Sequence, residues 1–102
     1  MAKLVALYKK PADAVAFDNH YFIDHIPKAK TLPGLRRYEV STGSVTSAAG
    51  ESPYHLVAIL SFDSLAAIQA ALGSPQGQAT AGDLANFAQA GVELLMFDTK
   101  EV

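Results

Sequence analysis

The stretch HYFIDHIP at residues 20–27, followed by LPGLRRY at residues 32–38, is the most informative part of the sequence about the fold. Its nineteen positions hold two of the three histidines, two of the four tyrosines and two prolines. A proline at the end of a helical pattern kinks or restarts the helix, and Pro33-Gly34 fits a type II turn, in which glycine takes the positive φ. The stretch therefore predicts a helix, a tight turn and a strand, with His25 at the rim of whatever the helix covers.

Length and composition indicate one ordered domain spanning residues 1–102. Half of the residues are apolar and 18% are charged, a balance that excludes intrinsic disorder. No apolar run is long enough to span a membrane, so we expect no membrane partner. The first residues lead directly into a strand pattern without the apolar core of a secretory signal, and we expect a cytoplasmic protein.

Charge and motif content exclude several classes of function. A formal net charge of −2 and a pI near 5.8 give no electrostatic surface for nucleic acid. The absence of cysteine excludes disulfides and thiolate chemistry. Neither a dinucleotide fingerprint nor a paired zinc motif is present, so we expect no cofactor and no metal.

The hydrophobic pattern predicts four strands and two helical regions in the order βαββαβ. The strands are predicted at residues 3–9, 36–44, 54–62 and 92–99, with a hairpin loop at 46–53. A helix begins after Asp13; a second, alanine-rich region runs from 64 to 88 and is expected to break at Gly82-Asp83. Antiparallel pairing with right-handed crossovers gives a ferredoxin-like α+β fold with both helical regions on one sheet face.

The first helix is predicted to bury a broad band made of two adjacent stripes. One stripe contains Val15, Phe22 and Ile26, and the other contains Ala14, Phe17, Tyr21 and His25. Phe17 and Phe22 are therefore expected in the core.

Several strands are apolar at consecutive positions, as are strands buried on both faces. Examples are Leu4 to Leu7, Leu56 to Leu60 and Leu94 to Phe97. A monomer with helices on one face would leave a large apolar patch in water, so the pattern predicts a homodimer in which the two sheets cover each other.

Nearly the whole chain resembles the EthD family, named for ethyl tert-butyl ether degradation. The matching segments are Leu7–Pro11, Phe17 with Tyr21, His25–Pro27, Leu32–Arg36, Ser74–Gln78 and Asp83–Phe87. The resemblance implies a dimeric α+β barrel with any ligand between the sheet and the helices. It also implies either an accessory to a cytochrome P450 system that degrades ethers or an enzyme like those of aromatic polyketide pathways.

His25 and Tyr21 are the catalytic candidates. They lie four residues apart, about 40° around a helix, and can line one pocket. The helix macrodipole favours protonated His25, which predicts a general acid. The alternative is that His25 caps the carbonyls freed by Pro27. His20 would point about 140° away from His25, so we expect it at the surface or in a dimer contact.

Tyr8, Tyr54 and His55 are the ligand-binding candidates. Strand alternation sends Tyr54 and His55 to opposite faces, with His55 beside Val57 and Ile59, so that one of the pair faces the helices. The alternative is an ordinary polar and aromatic strand end.

These features predict a protein that binds a small, largely apolar or aromatic metabolite through His25. As an enzyme it would transfer a proton next to a carbonyl without a cofactor, in an isomerisation, cyclisation or dehydration. One alternative is a non-catalytic accessory or carrier for an oxygenase pathway. Another is an interaction dimer without a ligand.

Overall fold

A computed structural model, which describes residues 1–102, contains a four-stranded antiparallel sheet with helices on one face. Its strands are β1 (Ala2–Lys9), β2 (Arg37–Val40), β5 (Tyr54–Phe62) and β6 (Val92–Asp98), in the spatial order β2-β5-β1-β6. The expected hairpin loop carries a short ribbon, β3 (Thr46–Ser47) paired with β4 (Gly50–Glu51). The predicted ferredoxin-like arrangement is confirmed, although β2 is shorter than expected.

The first helical region changes its hydrogen-bond pattern in the middle. Helix α1 (Ala14–His20) is capped by the Asp13 side chain and runs into a π-helical turn at Tyr21–His25, where the Ile26 N–H donates to the carbonyl of Tyr21. Helix α2 (Ile26–Ala29) follows. Pro27 stands in the first turn of α2, but the expected restart is not seen: Ile26 keeps helical dihedrals (φ −56°, ψ −46°), and the π turn leads into α2 without a break.

The second helical region consists of α3 (Leu65–Gly73) and α4 (Pro75–Phe87), which begin after the serine caps Ser64 and Ser74. The expected break at Gly82-Asp83 is wrong, because α4 continues through both residues. Asp83 is a poor helix former, but here it is buried and accepts hydrogen bonds from the first helical region. Tertiary contacts therefore outweigh its local preference.

The core lies between the helices and one face of the sheet, where alternate residues of β1 and β5 are buried. Phe17 is buried as predicted, but Phe22 is 48% exposed and Val15 is 70% exposed, so their placement in the core was wrong. Helix α1 buries a narrower stripe than expected. In addition, the π turn changes the angle between residues, so the 100° periodicity used to place Phe22 does not hold beyond Tyr21.

The opposite face of the sheet is not covered by any helix. Leu95 and Phe97 of β6 point to this open face, 52% and 42% exposed, and Leu95 pairs with Val5 of β1. Val5 in turn pairs with Ile59 of β5. The protomer therefore presents an apolar surface across three strands.

None of the helices has the length and apolar character needed to cross a membrane.

Candidate functional site

A cavity of about 60 Å³ lies between the sheet and the helices. Twelve of its fourteen lining residues are hydrophobic by type. Its polar groups come from Tyr8, His25, Tyr38 and Thr80. A cavity is thus present where a ligand was expected, between the sheet and the helices. It is smaller than the roughly 300–1,000 Å³ of drug-sized ligand sites.

His25 is fixed from behind by a buried carboxylate. Its Nδ1 lies 2.9 Å from Oδ2 of Asp83, and both residues are buried. An ionised carboxylate only accepts, so Nδ1–H donates and the neutral ring carries no proton on Nε2. Nε2 makes no hydrogen bond with the protein. Every fully buried side-chain nitrogen or oxygen has a hydrogen-bond partner, so Nε2 is not fully buried. Nε2 is therefore accessible, and its ring lines the cavity.

Asp83 is held in its ionised form by three donors. Burial alone would raise the pKa of Asp83, but hydrogen bonds from Asn86, His25 and His20 outweigh it and lower this pKa to about 2. The Asn86 amide is 2.9 Å from Oδ1, and His20 Nε2 is 2.9 Å from Oδ1 and 3.0 Å from Oδ2. The negative charge at the back of His25 is thus permanent at neutral pH.

Burial lowers the pKa of His25, and this effect outweighs the hydrogen bond and charge of Asp83, which would raise it. The expectation of a protonated general acid is therefore wrong, because loss of solvation outweighs the macrodipole at this position. The alternative of a helix cap also fails, since Nδ1 bonds Asp83 rather than a carbonyl. A neutral ring with a free Nε2 has the form of a general base.

The tyrosines take different positions around His25. Tyr21 is fully buried, stacks on the His25 ring at 5.4 Å and shares a 2.6 Å hydroxyl–hydroxyl hydrogen bond with Tyr38. Tyr21 does not line the cavity, whereas Tyr8 does, and the Tyr8 hydroxyl makes no hydrogen bond with the protein. Burial raises the pKa of both Tyr8 and Tyr21, so they stay neutral phenols that can donate.

Tyr54 and His55 lie away from the cavity, along an open groove of about 870 Å³ beside α1. The His55 Nε2 is 2.8 Å from Oδ1 of Asp18, and Tyr54 donates to Glu93. One of the pair faces the helices as expected, since His55 contacts α1, but its placement on the face of Val57 and Ile59 was wrong, because a β-bulge shifts the pairing between Tyr8 and Lys9. Neither residue joins His25.

Sequence analysis missed two members of the site, His20 and Asp83. On a regular helix His20 and His25 diverge, but a π turn joins residues five apart, and both rings reach the same carboxylate. A five-residue histidine spacing just before a proline is the signal that could have indicated it. His20 Nδ1 also lies 3.6 Å from Asp24, yet no group of three potential ligands is placed to hold a metal ion.

The fold and this interior site define a small α+β protein of the ferredoxin-like class. Comparison with known proteins is more specific: residues 9–91 match the EthD domain, and the chain belongs to the EthD family.

Three similar proteins place this assignment in context. An uncharacterized 11.0 kDa protein encoded in the thcB-thcC intergenic region of Rhodococcus erythropolis is 38% identical, over all of this chain and 98% of its own. A crystal structure of an EthD family protein from Bacillus halodurans has a TM-score of 0.89 at 36% identity, covering 98% of this chain and 99% of its own. A dimeric ferredoxin-like protein of unknown function from Thermobifida fusca has a TM-score of 0.70 at 14% identity, covering 96% and 90%, and shares the fold alone.

Proposed function

We propose that the protein binds a small, largely apolar carbonyl compound in the cavity and transfers a proton next to the carbonyl, with His25 as the base. One observation carries the proposal. A buried histidine that lines an apolar cavity has one nitrogen fixed by an ionised carboxylate and the other without a partner in the protein. A histidine placed in this way serves poorly as a packing group, because its free nitrogen gains nothing from the protein.

The chemistry follows from the two free polar groups of the cavity. Nε2 of His25 takes the proton from the carbon next to the carbonyl, and the electron pair moves to the carbonyl oxygen. The neutral Tyr8 hydroxyl donates to that oxygen as its charge develops. If a double bond is conjugated with the enolate, return of the proton from Nε2 to its far carbon gives an isomer. If the neighbouring carbon carries a hydroxyl group, that group takes the proton from Nε2 and leaves as water, and the electron pair of the enolate forms the new carbon–carbon double bond. Tyr21 supports the His25 ring from outside the cavity rather than contacting substrate.

The cavity volume limits the ligand. Benzene needs a cavity of about 150 Å³, so 60 Å³ takes the head group of a ligand and not a whole aromatic ring. Leu94, which lines the cavity, is 47% exposed and marks the side where the rest of a longer molecule would leave. A larger ligand therefore either extends past Leu94 or enlarges the cavity.

The alternative is a carrier or accessory protein for an oxygenase pathway, which the family resemblance favours. A carrier requires the same apolar lining and a hydrogen bond donated by Tyr8 or accepted by Nε2 of His25, but no proton transfer. The two functions therefore differ in turnover and not in binding.

Hydrogen–deuterium exchange distinguishes the proposed enzyme from a carrier and does not require the natural ligand to be known. The protein in D₂O is incubated with small enolisable probes, such as acetone and acetaldehyde, and loss of the protons next to the carbonyl is followed by proton NMR. We expect accelerated exchange that falls about 10²- to 10⁴-fold in His25→Gln, while probe affinity changes little.

His55→Gln is the matched control, because that histidine lies in the separate groove and its loss should leave exchange unchanged. Binding without exchange in the wild-type protein would favour the carrier. Unchanged exchange in His25→Gln would show that His25 is not the base.

A further inference from the structure

His20 and His25 both hold the carboxylate of Asp83. His20 Nε2 contacts both oxygens of Asp83, and His25 Nδ1 contacts Oδ2. The π turn makes this geometry possible, since it is the local structure that brings two residues five positions apart onto one partner. A single negative charge is therefore shared by two groups that can each bind a proton.

The two rings differ in their access to water. The His20 side chain is 26% exposed, and its Nδ1 lies 3.6 Å from the surface carboxylate of Asp24. The His25 side chain is only 4% exposed, and His25 lines the cavity. Protons from solvent thus reach His20 first, whereas protons from a bound ligand reach His25.

We infer that His20, Asp83 and His25 form one titrating unit, in which protonation of His20 from solvent disfavours protonation of His25 and keeps the cavity-facing nitrogen available as a base. His20 is then a positioning residue, because it acts on His25 through the shared carboxylate and not on the ligand. This inference rests on the proposed function for its use, but its physical content can be measured without any ligand.

The reason is electrostatic. When both rings are protonated, two positive charges compete for one carboxylate, in a place where burial limits screening by salt. The other groups facing the pair are Asp24 from the π turn, Lys28 from α2 and the Tyr8 hydroxyl from β1. Lys28 and a protonated His20 both lower the pKa of His25, in addition to the larger effect of burial.

The test is a histidine NMR titration of the whole protein labelled with ¹⁵N in its imidazole rings. In His20→Gln, the glutamine amide can still donate to Asp83 but cannot take up a proton. We expect the titration midpoint of His25 to rise by about half a pH unit or more relative to wild type. His55→Gln should leave that midpoint where it is.

The wild-type titration gives a second measurement that does not depend on a variant that folds. The signals of His25 should change in two steps rather than one as the pH is lowered. An unchanged or lower His25 midpoint in His20→Gln, or a simple one-proton curve in the wild type, would overturn the inference. The deuterium-exchange result for His25→Gln is independent of this titration, so the two proposals can fail separately.

Discussion

At the residue scale, Asp83 organises the site. Burial of its carboxylate costs free energy, and its hydrogen-bond partners offset that cost. A buried carboxylate is strongly disfavoured unless hydrogen bonds replace its water. Here Asn86, His25 and His20 supply them, and the ionised form is favoured strongly enough to lower the pKa of Asp83 to about 2. A single side chain therefore links helix α4 to the π turn and fixes the tautomer of the proposed base.

The first prediction concerns the acid stability of Asp83. Its pKa in the folded state is about 2, below its value near 3.9 in an unfolded chain, so ionised Asp83 contributes stability that is fully present above about pH 5. That contribution, about 2 kcal/mol, should disappear as the pH falls from 4 to 2. Urea unfolding at several pH values should therefore show that Asp83→Asn destabilises the protein at pH 7 and much less near pH 2.

Asp63→Asn is the control for this prediction. Asp63 also pairs with a cation, Arg36 at 2.9 Å, but both side chains are more than half exposed. The change should cost little stability at any pH, because solvent screens an exposed ion pair. Equal losses in the two variants at pH 7 would contradict the role given to Asp83.

At the element scale, much could be predicted from the sequence and the exceptions have physical causes. The four strands and the Pro33-Gly34 turn follow from local signals, and Gly34 has the predicted positive φ of 81°. The π turn and the β-bulge at His55 each add one residue to a regular repeat. Periodicity assumes that no residue is inserted, so it misplaced Phe22, His20 and His55.

Helix α4 contains two glycines, Gly77 and Gly82, whose replacement by alanine should change stability in opposite directions. A Cβ on Gly77 would lie 2.1 Å from the carbonyl oxygen of Ala71 and 2.6 Å from Cα of Leu72. Backbone atoms cannot move aside cheaply, so Gly77→Ala should destabilise by about 2 kcal/mol or more. A Cβ on Gly82 meets nothing within 4 Å, and Gly82→Ala should stabilise by about 0.5 to 1 kcal/mol.

Chemical denaturation of the two variants measures this difference directly. Both substitutions replace glycine by alanine in α4, so helix propensity is the same in each and only the packing differs. Similar stabilities would show that the two helices do not meet as closely as the structure indicates.

At the scale of the whole molecule, the open sheet face leaves apolar side chains in contact with water. Leu95 and Phe97 join half-buried side chains of β1 and β5 in a patch that a soluble monomer rarely leaves in water. The dimeric ferredoxin-like protein from Thermobifida fusca shows that this fold forms dimers. We therefore propose a homodimer in which the open faces of two copies pack together and leave each cavity on the outer, helical side of its own sheet.

The last prediction tests that dimer with two matched substitutions. A two-fold symmetric interface contains every residue twice, so Leu95→Glu would bury two carboxylates without partners and should raise the dissociation constant by 10²-fold or more. Val15→Glu makes a comparable change at an apolar residue that is 70% exposed on α1, away from the sheet, and should leave the dimer intact. Light scattering after size-exclusion chromatography at low micromolar concentration measures both. An interface on the order of 2,000 Å² should hold the wild-type protein together at that dilution. A stable, well-folded wild-type monomer, or equal dissociation of the two variants, would show that the sheet face is not the contact.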